Sequence, residues 1–69
     1  MEVQPKAKSS RDVIRLLVGD GWYEVGQTGS RKHFKHPTKK GKVTVPHPRR
    51  DLSIKTVKSI EKQSGVDLS

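Results

Sequence analysis

The residues best suited to chemistry lie in one basic run, TGSRKHFKHPTKKGKV at positions 28–43. Side chains alternate along a strand, so Arg31, His33 and Lys35 share one face of RKHFK. Two permanent cations beside an imidazole that titrates near neutrality suit phosphodiester chemistry, because the cations hold phosphate while the histidine moves protons. In RNA the neighbouring 2′-hydroxyl is a ready nucleophile, so such a site needs no metal. The commoner alternative is a solvated or phosphate-binding face without catalysis.

The charge of the chain indicates a polyanionic partner. Its 69 residues carry 15 Lys and Arg against 7 Asp and Glu, a formal net charge of +8. Nucleic acid fits this charge best, and the alternatives are a surface that only confers solubility or one that meets an acidic protein. The sequence has no cysteine and no apolar run near the ~20 residues that span a bilayer. We expect a cytoplasmic protein without membrane contact or cofactor.

The histidines do not predict a metal site. His33 and His36 are three residues apart and so point to opposite faces of a strand, with no cysteine and few acids nearby. His36 directly precedes a proline, which predicts the end of the strand and a hydrogen bond within the loop. His47 lies between two prolines and is predicted to shape a turn that positions the next two arginines. Trp22 is predicted to pack in the core, with stacking on a base as the alternative.

Two helices and three short strands are predicted to position the basic run. Ser9 and Asp12 form a start like a capping box for a helix from about Ser10 to Val18. The predicted strands are WYEVGQ, RKHFKH and KVTVP, separated by turn residues. A second helix is predicted to begin after Ser53 and to end at Gly65, with Ile54, Val57 and Ile60 on one side.

The order helix, three strands, helix predicts an α+β sandwich: a three-stranded antiparallel sheet with both helices on one face. Phe34 is the large apolar residue of its strand and should face the helices. The face with Arg31, His33 and Lys35 would then be open. We expect a flexible lead-in at residues 1–8 and a single domain at residues 9–69.

The order of motifs resembles one known family. DVIRLLVGDGWYEV, GSRKHFKHPTKKGKVTVPHPRRDLS and TVKSIEKQSGVDL follow one another as in the HicA family of toxin–antitoxin mRNA interferases, from about Ser10 to Leu68. The resemblance implies a sandwich like the double-stranded-RNA-binding domain (dsRBD). It also implies ribonuclease activity on mRNA that arrests growth, and a HicB antitoxin that covers the active site.

One position departs from the family pattern. Typical members carry the catalytic histidine directly after a Gly-Gly or Gly-Ser pair, and here Arg31 follows Gly29 and Ser30. Arginine cannot act as a general base near neutral pH because its pKa lies above ~12. Either His33, about 6.5 Å along the same strand face, takes the role, or the protein is an inactive or attenuated binder, or the arginine was introduced to make a poisonous protein producible. With the first explanation, His33 is the general acid/base, Arg31, Lys35 and Lys32 contact phosphate, Gly29 permits the turn and Ser30 donates a hydrogen bond.

Overall fold

Helix, three strands and helix follow one another along the chain, as predicted. The computed structural model describes residues 9–68, so the predicted lead-in and Ser69 lie outside the described residues. The elements are α1 (Ser10–Gly19), β1 (Tyr23–Thr28), β2 (Arg31–Lys35), β3 (Val43–Pro46) and α2 (Ile54–Ser64). The predicted dsRBD-like α+β fold is confirmed. No helix of the described part is long and apolar enough to cross a membrane.

The predicted caps define both helices. The hydroxyl groups of Ser9 and Ser53 each accept the backbone N–H of the residue three positions further on. Such a bond satisfies one of the N–H groups that a helix start leaves unpaired. At the end of α2, Gly65 has φ 73°, in the left-handed region, and its N–H donates to the carbonyl of Glu61. The end of α1 is one residue later than predicted, at Gly19.

The sheet is antiparallel with the strand order β1-β2-β3. Arg31 lies opposite Thr28 on one side and Pro46 on the other, and His33 lies opposite Thr44. Residues that pair directly across antiparallel strands share a face. These five residues therefore lie on one face of the sheet, which is the face predicted to carry the phosphodiester chemistry.

The opposite face packs on both helices and forms the core. Phe34, Val43 and Val45 are buried there against residues from both helices and the connecting segments: Val13, Leu17, Trp22, Leu52, Val57, Ile60 and Leu68. Because both helices pack on this face, the face that carries Arg31 remains open, as predicted. Two apolar helix residues lie outside this core, since Leu16 is 41% and Ile54 47% exposed, although Ile54 was predicted on the same side of its helix as Val57 and Ile60.

Trp22 and His36 pack together beside the core. Trp22 is 1% exposed and its indole N–H donates to the Asp20 carboxylate, so it packs in the core and cannot stack on a base. The His36 ring meets the indole edge-on at 5.2 Å. Its Nδ1 accepts the backbone N–H groups of Thr38 and Lys39, and its Nε2 donates to the Asp20 carbonyl. His36 thus follows the end of β2 and hydrogen-bonds within the loop, as predicted.

Candidate functional site

A groove of about 400 Å³ lies between the β3 edge of the sheet and α2. The open face of the sheet contributes Arg31, Thr44 and Pro46 to its lining. The helix contributes Lys55, Ser59 and Gln63, which are spaced four residues apart and therefore share one face of α2. Two elements distant in sequence thus enclose one polar groove.

The groove is electropositive and rich in hydrogen-bonding groups. Arg31 and Lys55 are its charged lining residues, and none of the residues that line it is acidic. A guanidinium presents donors in a planar fork that matches two phosphate oxygens, while an ammonium acts as a point charge. The hydroxyl and amide groups around them suit the sugar and base of a nucleotide. The arrangement therefore fits a phosphodiester better than a bare apolar ligand.

His33 reaches the groove through a hydroxyl group. Its Nδ1 lies 3.1 Å from Thr44 Oγ1, and its Nε2 lies 2.9 Å from Thr28 Oγ1. A hydroxyl can both donate and accept, so the two threonines satisfy a neutral imidazole in either tautomer. Thr44 lines the groove together with Arg31, so a proton lost by a ligand in the groove can pass through the Thr44 hydroxyl group to His33.

The structure does not bring all predicted phosphate contacts into the groove. Lys35 lies at the other end of β2, four residues from Arg31 and about 13 Å along the strand. It is not among the residues that line the groove. Lys32 points to the helix face, where its ammonium lies 3.0 Å from the Glu24 carboxylate. Arg31 alone of these three cations lines the groove.

Gly29 and Ser30 form the turn that places Arg31. Gly29 has φ 58°, a left-handed conformation that glycine adopts without strain. The Ser30 carbonyl accepts the backbone N–H of His47 at 2.7 Å, which fastens the turn to the segment after β3. Within residues 9–68, no three His, Cys, Asp or Glu side chains gather as a metal site would require.

Seven residues of the groove were not predicted as site residues: Thr44, Pro46, Lys55, Thr56, Ser59, Ile60 and Gln63. The stripe of polar residues at four-residue spacing on α2 is a signal that the sequence contains. On an exposed helix such a stripe is ordinarily a solvated face. Only the packing of α2 beside β3 shows that it faces Arg31.

One family comparison identifies the chain. The sequence model of the family described as the HicA toxin of bacterial toxin–antitoxin matches residues 10–66, which include every helix and strand. No curated protein matches the sequence closely enough to add a relative. A toxin of such a system implies a cognate antitoxin as its partner. Since the match covers most of its length, this chain belongs to the HicA toxin family.

Proposed function

We propose that this toxin is an endoribonuclease that cleaves mRNA in the cytoplasm without a metal ion, and that a HicB-type antitoxin neutralises it by covering the groove. One observation carries the proposal: Thr44 lies in the groove beside the Arg31 cation and is hydrogen-bonded to His33. A phosphate held by Arg31 would thus have a proton acceptor one hydroxyl away.

The proposed reaction uses the 2′-hydroxyl of RNA as nucleophile. Thr44 Oγ1 accepts the 2′-hydroxyl proton as its own proton passes to Nδ1 of His33. The 2′-oxygen bonds to phosphorus while the bond from phosphorus to the 5′-oxygen breaks, and the imidazolium or water returns a proton to that oxygen. The products are a 2′,3′-cyclic phosphate and a 5′-hydroxyl. Arg31 and Lys55 stabilise the charge that develops on the phosphate.

Thr28 can accept the hydrogen bond of the tautomer that this reaction needs. His33 must be neutral with its proton on Nε2 so that Nδ1 can accept. The Nε2–H then donates to Thr28 Oγ1 at 2.9 Å. This contact orients the base in the same way that a third residue orients the histidine of a catalytic triad.

The other predicted residues act away from the reacting phosphate. Lys35 contacts another phosphate of the same RNA strand, because it lies about 13 Å from Arg31 on the same face of the sheet. Lys32 has its ion pair with Glu24 and contributes charge at longer range. Gly29 and Ser30 hold the turn that presents Arg31.

The test is cleavage of a labelled RNA in the presence of EDTA. His33→Ala and Thr44→Val should each lower turnover by roughly 10²–10⁴-fold and leave RNA affinity nearly unchanged, because neither contributes a fixed charge. Thr38→Val, which removes a threonine hydroxyl at the far end of the sheet, is the matched control and should cleave as the unaltered protein does. Undiminished cleavage by His33→Ala would refute this assignment.

A second candidate is an RNA-binding module without turnover. Two observations favour it: Arg31 stands where the family pattern places the catalytic histidine, and both ring nitrogens of His33 already have threonine partners. This candidate predicts RNA that is bound but intact in EDTA. Cleavage that appears only in Arg31→His would then identify an attenuated toxin rather than a relocated base.

A further inference from the structure

A second basic cleft, of about 360 Å³, lies between the start of α1 and the segment that follows β3. Its lining residues include three arginines, Arg11, Arg49 and Arg50, together with His47. None of the residues that line it is acidic. We call this site the arginine cleft. Three cationic residues line it, against two in the first groove, so it too can attract anions.

A buried serine fixes the backbone that presents these arginines. Ser10 is 1% exposed, and its Oγ lies 2.6 Å from Nδ1 of His47 and accepts the Arg49 N–H at 2.9 Å. The Ser10 N–H donates to the Arg49 carbonyl in return. The Ser9 hydroxyl caps the start of α1 by accepting the Asp12 N–H, and the side-chain charge at the cleft comes from its three arginines.

The arginine cleft and the groove that Arg31 lines are bordered by neighbouring residues of one stretch of chain. Pro46 lines the groove and His47, the next residue, lines the cleft. On the neighbouring strand the His47 N–H donates to the carbonyl of Ser30, the residue before Arg31. Consecutive Cα atoms are about 3.8 Å apart, so the two linings come within one residue of each other at this point of the chain. An RNA strand that passes around the end of β3 can contact both sites.

We propose that the arginine cleft holds a second phosphate of the RNA strand whose scissile phosphate lies in the groove. The inference rests on the proposed function in taking RNA as the ligand. The cleft positions the strand and supplies affinity, and its residues move no protons. The ligand of the arginine cleft is an internal phosphodiester of a longer RNA, because an RNA short enough to fill only the groove does not reach the cleft.

The test is RNA binding by Arg11→Ala, Arg49→Ala and Arg50→Ala, measured by fluorescence anisotropy at several salt concentrations. Each lost phosphate contact should reduce the slope of log affinity against log salt by about 0.7. Arginine-to-lysine changes at the same positions should retain most of the slope, since the contact is electrostatic. Lys40→Ala removes one exposed charge at the opposite end of the sheet and is the matched control.

The alanine variants should weaken binding of an RNA of ten or more nucleotides and leave binding of a dinucleotide unaffected. A salt slope equal to that of Lys40→Ala overturns the inference, and so does an equal loss for both lengths. If Arg31→Ala weakens binding while the three cleft variants do not, the proposed function stands without the second phosphate. If the unaltered protein binds no RNA, both proposals fail. Circular dichroism of each variant establishes that it is folded.

Discussion

Gly21 is the position where a single methyl group should damage the fold most visibly. Its φ of 105° lies in a region that side-chain-bearing residues rarely adopt. A Cβ atom placed there would lie 2.8 Å from Nε2 of His36, well inside contact distance. His36 cannot move aside freely, because both of its ring nitrogens are hydrogen-bonded to backbone groups.

The cost of Gly21→Ala has two parts. Forcing alanine into this backbone conformation costs about 1–3 kcal/mol. Displacing His36 from the Asp20 carbonyl, which it meets at 2.7 Å, costs about 1 kcal/mol more. The sum of about 2–4 kcal/mol is large against the roughly 3–10 kcal/mol expected for a domain of this size. At about 4–8 °C per kcal/mol, Tm should fall by at least 10 °C or so.

Thermal unfolding followed by the fluorescence of Trp22, the single tryptophan, measures the effect beside the ring that moves. Gly19→Ala is the matched control, because nothing lies within 4 Å of its added Cβ and it ends a helix. That variant should match or slightly exceed the unaltered protein, by up to about 1 kcal/mol. If Gly21→Ala and Gly19→Ala unfold at the same temperature, the steric reasoning is wrong.

Three further changes test the local interactions. The hydrogen bond from Lys39 holds the pKa of Asp20 below its ordinary value of 3.8, with desolvation of the carboxyl opposing it in part. A carboxyl group whose pKa is lower in the folded state adds stability above its unfolded pKa, and this stability is lost as the pH falls through the folded pKa. The difference in unfolding free energy between the unaltered protein and Lys39→Met, measured by urea unfolding, should therefore narrow below about pH 4. A gap that widens there would contradict the ion pair. Ser10→Ala should lower the unfolding free energy by about 1–3 kcal/mol, because it leaves the Arg49 N–H without its acceptor, and an unchanged urea midpoint would refute this. Gly29→Ala should cost about 1–2 kcal/mol for its left-handed backbone alone and Gly29→Asn less, and equal losses would show that space rather than backbone conformation matters.

The fold was predictable because local signals and the hydrophobic pattern agree. Ser9 and Ser53 cap the starts of the two helices, and Gly65 caps the end of the second. Each does so through groups a few residues away, so the sequence spacing reveals these caps directly. The alternation around Phe34 similarly assigns the two faces of β2, since it is the one large apolar side chain there. These features depend on short stretches of chain and so can be read without the rest of the molecule.

The site was less predictable because its contacts join distant segments. Lys55 faces Arg31 only because α2 packs beside β3, and the bond between Ser10 and His47 spans 37 positions of sequence. The ion pair that engages Lys32 depends on register across β1 and β2, where a bulge shifts the pairing. Residue types at these positions indicate polarity, but only the tertiary arrangement indicates which polar groups meet.

We propose that this protein, with arginine at position 31, cleaves RNA by using the RNA's 2′-hydroxyl group as the nucleophile. The most direct measurement is end-group analysis of a defined RNA incubated with the purified protein in EDTA, beside the same RNA with a 2′-deoxy substitution at the cleaved nucleotide. We predict 2′,3′-cyclic phosphate and 5′-hydroxyl ends from the first RNA and no cleavage at that position in the second. Intact RNA in both, or products with 5′-phosphate ends, would contradict the claim.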